Sequence, residues 1–183
     1  MEIIEIEFKN PVSEKTYTKL LKEYSLENNV FLQTNYYFDS KEFTLEKKHI
    51  VLRIRLRANK YKVTLKRGTL QGAIEEHVLI SEAKALDMIK NGFNLKEFFD
   101  DDLEVSFIGK LDNHRVSMPY RDGELFLDKI LYFDNIDYEI EYEVDSFEQG
   151  EIYFKQFLTE HQIKEEPFLR KSSRIYNYLR QKI

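Results

Sequence analysis

"EIEFK", residues 5 to 9, poses the question that decides the fold. Its alternation predicts a strand over residues 2 to 9, and successive side chains of a strand face opposite sides. Glu5, Glu7 and Lys9 therefore share one face, and Ile6 and Phe8 take the other. The same sorting returns along the chain. In "IVLRIRLRA" (50–58), Arg53, Arg55 and Arg57 lie opposite Ile54 and Leu56. In "KYKVTLKRG" (60–68), Lys62, Thr64 and Lys66 lie opposite Tyr61, Val63 and Leu65, and Asn59 between the two segments signals a tight hairpin. "AIEEHVLI" (73–80) places Glu75 with His77, Arg115 lies opposite Val116, and Asp128 lies opposite Leu125 and Leu127. Glu139, Glu141 and Glu143 lie opposite Tyr138, Ile140 and Tyr142.

A half-buried sheet with a solvated face accounts for any one of these strands. It accounts poorly for the set, because the faces are sorted by sign: three Arg, then Lys-Thr-Lys, then three Glu. Like charges in a row repel unless a group of opposite sign lies between them. The carboxylate strands call for a cation and the Arg and Lys strands for a polyanion. A divalent metal on a phosphate chain satisfies both. Many short antiparallel strands joined by hairpins predict a closed barrel. The expected fold is α+β: an eight-stranded antiparallel β-barrel, or tunnel, with a charged lumen and helices on its apolar outer face. Further strands are predicted over 30–39, 104–109, 111–117, 124–132 and 137–144. Helices are predicted from Ser13 to about Glu27, from Ser81 to a C-cap at Asn91-Gly92, over 94–99, over 147–161 and over 168–181. Ile152, Phe154, Phe157 and Leu158 are expected to coat the barrel.

The 183 residues suit a single domain over 1–183, C-terminal helices included. Zero Cys excludes disulfides and thiolate metal sites and fits a reducing cytosol, so a cytoplasmic location is expected. No apolar run approaches a membrane span and Met1 leads directly into a strand pattern, so no membrane partner is expected. A net charge of −5 argues against a general nucleic-acid binder. There is no P-loop, G-x-S-x-G or H-E-x-x-H. His77, on the charged face, has no partner motif. Asp100, Asp101 and Asp102 read as a loop, and Ser172 and Ser173 as capping or solvent-facing residues.

With these residues assembled, the chain resembles the CYTH superfamily, the triphosphate tunnel metalloenzymes, and most of all a bacterial branch found in Firmicutes. Glu5, Glu7 and Lys9 match the N-terminal E-x-E-x-K. "NYYFD" (35–39), "LRIRLR" (52–57), "VTLKRG" (63–68), "LDK" (127–129) and "YEIEYEVD" (138–145) follow in family order. The resemblance implies a tunnel that binds a triphosphate-containing small molecule with Mg²⁺ or Mn²⁺. Glu5, Glu7, Glu139 and Glu141 would be the catalytic metal ligands, joined by Asp128. Lys9, Arg53, Arg55, Lys62, Lys66, Arg115 and Lys171 would contact phosphate oxygens. Arg57, Glu75, Glu143 and Arg174 are secondary candidates, Glu143 as a group behind the ligands and Glu75 as the family's mid-chain glutamate. The C-terminal "RKSSRIY" departs from a K-S-K-like pattern, with Ser173 where a second Lys would stand. The implied activity is metal-dependent hydrolysis of tripolyphosphate or of a nucleoside or thiamine triphosphate. A class IV-type adenylate cyclase and a non-catalytic polyphosphate or nucleotide sensor are the alternatives, and a homodimer is left open.

Overall fold

A computed structural model describes residues 3–69 and 72–182, Ile3 and Ile4 by backbone alone. The strands are β1 (Ile3–Val12), β2 (Phe31–Asp39), β3 (Ile50–Arg57), β4 (Lys60–Gly68), β5 (Ala73–Ile80), β6 (Phe93–Asn94), β7 (Glu104–Tyr120), β8 (Gly123–Tyr132) and β9 (Asn135–Val144). The helices are α1 (Glu14–Glu23), α2 (Thr44–Lys47), α3 (Glu82–Asn91), α4 (Phe147–Glu160) and α5 (Lys171–Arg180). The sheet order is β2-β3-β4-β5-β1-β9-β8-β7-β6, and β2 also pairs with β7. Eight strands thus form a closed antiparallel barrel, with the two-residue β6 as an extra strand. Among the described residues no helix is long and apolar enough to cross a membrane.

The chain divides into two compact units. One comprises Gln33–Leu111 and the stretch from Lys171, the other Glu5–Leu32 and Asp112–Arg170. In the first unit the core gathers Phe38, Leu52, Ile54, Val63 and Leu65 from the strands and Ala85 and Met88 from α3. Ser13 and Ser81 begin α1 and α3 as expected, each side chain accepting a hydrogen bond from a backbone N–H of the first turn. Gly92 ends α3 at φ 76°, and a Cβ there would meet the Val105 carbonyl oxygen at 2.5 Å, so only glycine fits. Ala58 and Asn59 both take positive φ, the signature of a two-residue hairpin turn.

In the second unit Leu20 of α1 and Phe154, Phe157 and Leu158 of α4 pack on Val116, Leu125, Leu127, Ile140 and Tyr142. Each such buried side chain contributes roughly 1.5–3 kcal/mol. Helices therefore cover the apolar strand face in both units, and the charged face is the other side of the same strands.

Several boundaries differ from those expected. The two strands at 104–109 and 111–117 are one 17-residue strand, β7. Gly109 is carried within a continuous extended backbone. The first helix stops at Glu23, and Tyr24 and Ser25 turn the chain toward a short 3₁₀ turn at Glu27–Asn29. The segment 94–99 is only a 3₁₀ turn, Leu95–Glu97, after β6. The last helix starts at Lys171 instead of 168. Ser146 precedes α4 without a side-chain cap, and Ile152 is exposed, unlike its α4 neighbours Phe154 and Phe157. Glu2, assigned to the first strand, lies outside the described residues.

The short helix α2 was not foreseen, and it bears on α5. Asp39 is fully buried and accepts from the backbone N–H groups of Ser40, Leu45 and Glu46, so its carboxylate holds the start of α2. It also accepts from Tyr176 Oη at 2.7 Å, and the Tyr176 ring meets Phe43 edge-on at 5.5 Å. Burial, then the hydrogen bond to Asp39, pushes the Tyr176 phenol well above its ordinary pKa, so it stays protonated and donating. We expect Tyr176→Phe to cost about 1.5–3 kcal/mol in urea unfolding, the range for a hydrogen bond to a charged group. A loss under about 0.5 kcal/mol would refute this role.

Candidate metal and phosphate site

Strand register builds an acidic cluster within the second unit. β1 pairs antiparallel with β9 so that Glu7 opposes Glu143 and Lys9 opposes Glu141. β8 pairs with β9 so that Asp128 opposes Glu139, and with β7 so that Arg115 opposes Asp128. Like charges placed directly across a ladder destabilise it, so Glu7–Glu143 and Asp128–Glu139 are costly pairings. They produce two groups of three carboxylates, Glu5-Glu7-Glu143 and Asp128-Glu139-Glu141. In each group one oxygen per residue lies within 4.8 Å of the others. The first group is half-buried and the second buried.

Two cations run between them. Lys9 Nζ lies 2.6 Å from Glu141 and 3.1 Å from Glu7. Burial works against its charge, but Glu141, Glu7 and Glu139 outweigh it and raise its pKa well above the ordinary lysine value. Arg115 donates to both oxygens of Asp128 at 2.7 Å, donates to Glu141, and lies 3.9 Å from Glu143. Burial opposes its charge too, and Asp128 and Glu141 overcome that opposition. Its guanidinium stacks 4.2 Å from the centre of the Phe126 ring, an aromatic on the charged face of β8 that alternation alone would not pick out.

Glu143 shows the strain of this crowding. Its pKa is pushed up from 4.5 to about 7, first by burial and then by Glu5, against the opposing pull of Arg115. A raised carboxyl pKa means that the folded state binds the proton more tightly than the unfolded state. Its contribution to stability is therefore fully present below about pH 4.5 and is lost as pH rises through about 7. Without divalent metal, the protein is expected to lose stability over that window, and Glu143→Gln is expected to flatten the loss. Urea midpoints at half-unit pH steps check this, and equal slopes in the two proteins would overturn it. Oxygen-only donors of this kind suit hard divalent cations. The upward pull on Glu143 is what carboxylates waiting for a cation would show, so the residues present fit such an ion.

The first unit carries a basic cluster of its own. Asn35 opposes Arg55, which opposes Lys62; Arg53 opposes Thr64, which opposes His77; Lys66 opposes Glu75. Arg55 Nε donates to Asn35 Oδ1 at 2.9 Å, which holds the guanidinium in place. Glu75 is buried, with Arg53 Nη2 and Lys66 Nζ each 3.4 Å from one of its oxygens. Glu76, of the other parity, instead joins Arg67, as does Asp101, so the run 100–102 ties down a loop. On α5, Lys171 and Arg174 are buried one turn apart. Ser172 is buried as well, against the expectation that it caps or faces solvent. Arg57, at the end of β3, is exposed, the least enclosed of the candidates. Gln33, Asn35 and Tyr37 share the charged side of β2 and are buried; of the three, only Tyr37 had been considered from the sequence, as a residue bordering the tunnel or packing in the core. The alternation of "QTNYYFD" could have pointed to them, but an uncharged face carries little signal.

The CYTH domain family matches residues 3–176. Among curated proteins, YjbK of Bacillus subtilis (strain 168), provisionally named a triphosphatase, is 31% identical over 98% of both chains. Among solved structures, one from Bacillus halodurans, provisionally named an adenylate cyclase, is 30% identical, covers 94% of this chain and 97% of its own, and superimposes with a TM-score of 0.87. HpAC1 from Hippeastrum is described as a provisional adenylyl cyclase with a dominant triphosphatase activity. At 24% identity and a TM-score of 0.75, over 97% and 96% of the two chains, its likeness shows the fold alone.

Proposed function

The chain belongs to the CYTH family, and on that premise we propose that it is a metal-dependent triphosphate phosphohydrolase that works as one domain. The observation that carries this reading is the pair of three-carboxylate groups, whose like charges register holds face to face. The sorted basic face on β3 and β4 supports the same reading. The name given to YjbK supports it, and tripolyphosphate or a nucleoside or thiamine triphosphate are the substrates considered.

Glu5, Glu7, Glu139, Glu141 and Asp128 hold Mg²⁺ or Mn²⁺ in this reading, with Glu143 promoted to a ligand beside Glu5 and Glu7. A bound divalent ion supplies Lewis acidity at phosphoryl oxygens. Arg53 and Arg55 grip phosphate oxygens through their planar donors, and Lys62, Lys66, Lys171 and Arg174 add positive charge. Arg115 and Lys9 hold the carboxylates in place and, in this reading, also contact phosphate oxygens. Hydrolysis of a phosphoanhydride asks chiefly for positioning and charge neutralisation, which such a set provides without a dedicated side-chain base.

Phosphate release from tripolyphosphate, ATP, thiamine triphosphate and pyrophosphate, with Mg²⁺, Mn²⁺ or EDTA, tests the proposal. Metal-dependent release that favours a triphosphate is the expected result. A second reading, cyclisation of ATP, draws support from the name given to the Bacillus halodurans structure. Pyrophosphate and a cyclic nucleotide as products would establish it in place of hydrolysis. Metal-dependent binding with no product of either kind would leave the protein a sensor.

A further inference from the structure

Among the covered side-chain polar atoms of the first unit that make no protein hydrogen bond, three belong to uncharged residues beside Arg53 and Arg55: Asn35 Nδ2, Thr64 Oγ1 and His77 Nδ1. Asn35 and Thr64 are each only 1% exposed. A buried polar atom left without a partner costs stability, and native structures keep few of them. These three are also clustered by register. Thr64 lies directly between Arg53 and His77, and Asn35 lies directly across from Arg55 on the same face.

All three can donate a hydrogen bond. Asn35 Oδ1 is engaged by Arg55 Nε, which fixes the amide orientation and leaves Nδ2, a pure donor, to spare. Thr64 Oγ1 can donate by rotating its hydroxyl, and His77 Nδ1 donates in one tautomer. Uncharged donors set among guanidiniums suit an anion with several oxygens. They add directional contacts without adding cations that would repel Arg53 and Arg55.

We propose that Asn35 and Thr64, with His77 beside them, are neutral donors to a phosphoryl group gripped by Arg53 and Arg55, and that they fix its orientation. This rests on the proposed function, because it takes the ligand to be a phosphate chain. Such donors are kept unpaired in the free protein for the sake of the ligand, a local trade of stability for binding.

Thr64→Val tests this directly, since it keeps the shape and removes the hydroxyl. Binding of tripolyphosphate is measured by calorimetry in EDTA, so that no metal-dependent turnover intrudes, alongside melting of the free protein. Thr64→Val should bind about tenfold or more weakly while the free variant melts no lower than the parent. Thr64→Ser, which restores the hydroxyl, should bind like the parent. Thr64→Val binding as tightly as the parent overturns the inference and leaves the phosphohydrolase reading standing. Weaker binding by Thr64→Val and Thr64→Ser alike, with both free variants melting lower, also overturns it, since the hydroxyl would then be structural. A parent protein that does not bind tripolyphosphate in EDTA also overturns the inference, since the neutral donors and arginines would then not hold the phosphate by themselves; phosphate release with metal decides separately whether the phosphohydrolase reading stands.

Discussion

Glu5→Gln/Glu7→Gln is expected to lose metal-dependent phosphate release by at least about 100-fold, the scale on which metal-site substitutions act. Without metal, the same variant is expected to unfold at higher urea than the parent at pH 8. The two expectations pull in opposite directions for one reason. The Glu5-Glu7-Glu143 group brings three carboxylates within 4.8 Å, and Glu143 responds with a pKa near 7. Neutral amides at positions 5 and 7 remove that repulsion in the free protein and remove the ligands at the same time. Lys9 loses its 3.1 Å contact with Glu7 but keeps the 2.6 Å contact with Glu141, so the local scaffold persists. A pair that was merely structural would lose stability and activity together. Retained phosphate release in the double variant would overturn the assignment of these residues as ligands.

Arg115→Met is expected to cost about 3–5 kcal/mol of stability, the range for removing one partner from a buried ion pair. Arg115 satisfies both oxygens of Asp128 and also reaches Glu141, and both acids are almost completely buried. Methionine can fill space beside Phe126, but it removes the guanidinium from both oxygens of Asp128 and leaves Glu141 with Lys9 in place of two cations. Stranded buried acids take up protons at higher pH, so the deficit should shrink as pH falls from 8 toward 5. Arg115→Lys should recover only part of the loss, because a single ammonium cannot match the two-pronged grip on Asp128. Urea unfolding at several pH values reads all three effects. A loss below about 1 kcal/mol, or one that does not vary with pH, would show that Asp128 and Glu141 do not depend on this guanidinium.

How far the site was legible from sequence differs residue by residue. Glu5, Glu7, Lys9, Glu139 and Glu141 were readable because two-residue alternation is a local property of a strand. Arg53, Arg55, Lys62 and Lys66 were readable for the same reason, and the order of the motifs identified the family. Glu143 was ranked behind the other glutamates, while Asp128 was joined to the metal ligands. The structure groups each with two of them, since Glu7 opposes Glu143 and Asp128 opposes Glu139. Thr64 was placed on the charged face and Asn35 within a family block, but neither was given a role, because an uncharged side chain becomes notable only when it is buried among charges. The clamp of Asp39 on Tyr176 joins residues 137 apart, and no local pattern signals it.

The sequence by itself determined which side chains share a face, and hence that charge would gather on one side of the barrel strands and apolar packing on the other. Alternation needs only neighbouring backbone angles, which the local chain sets. Register was decided by tertiary structure alone. Lys9 and Glu141 meet across 132 residues, through ladder hydrogen bonds between β1 and β9 and under the constraint of the apolar faces packed behind them. A slip of two residues would keep every face intact and still pair each carboxylate with a different partner. That choice of register turned a row of acids into two three-carboxylate groups with Lys9 and Arg115 between them.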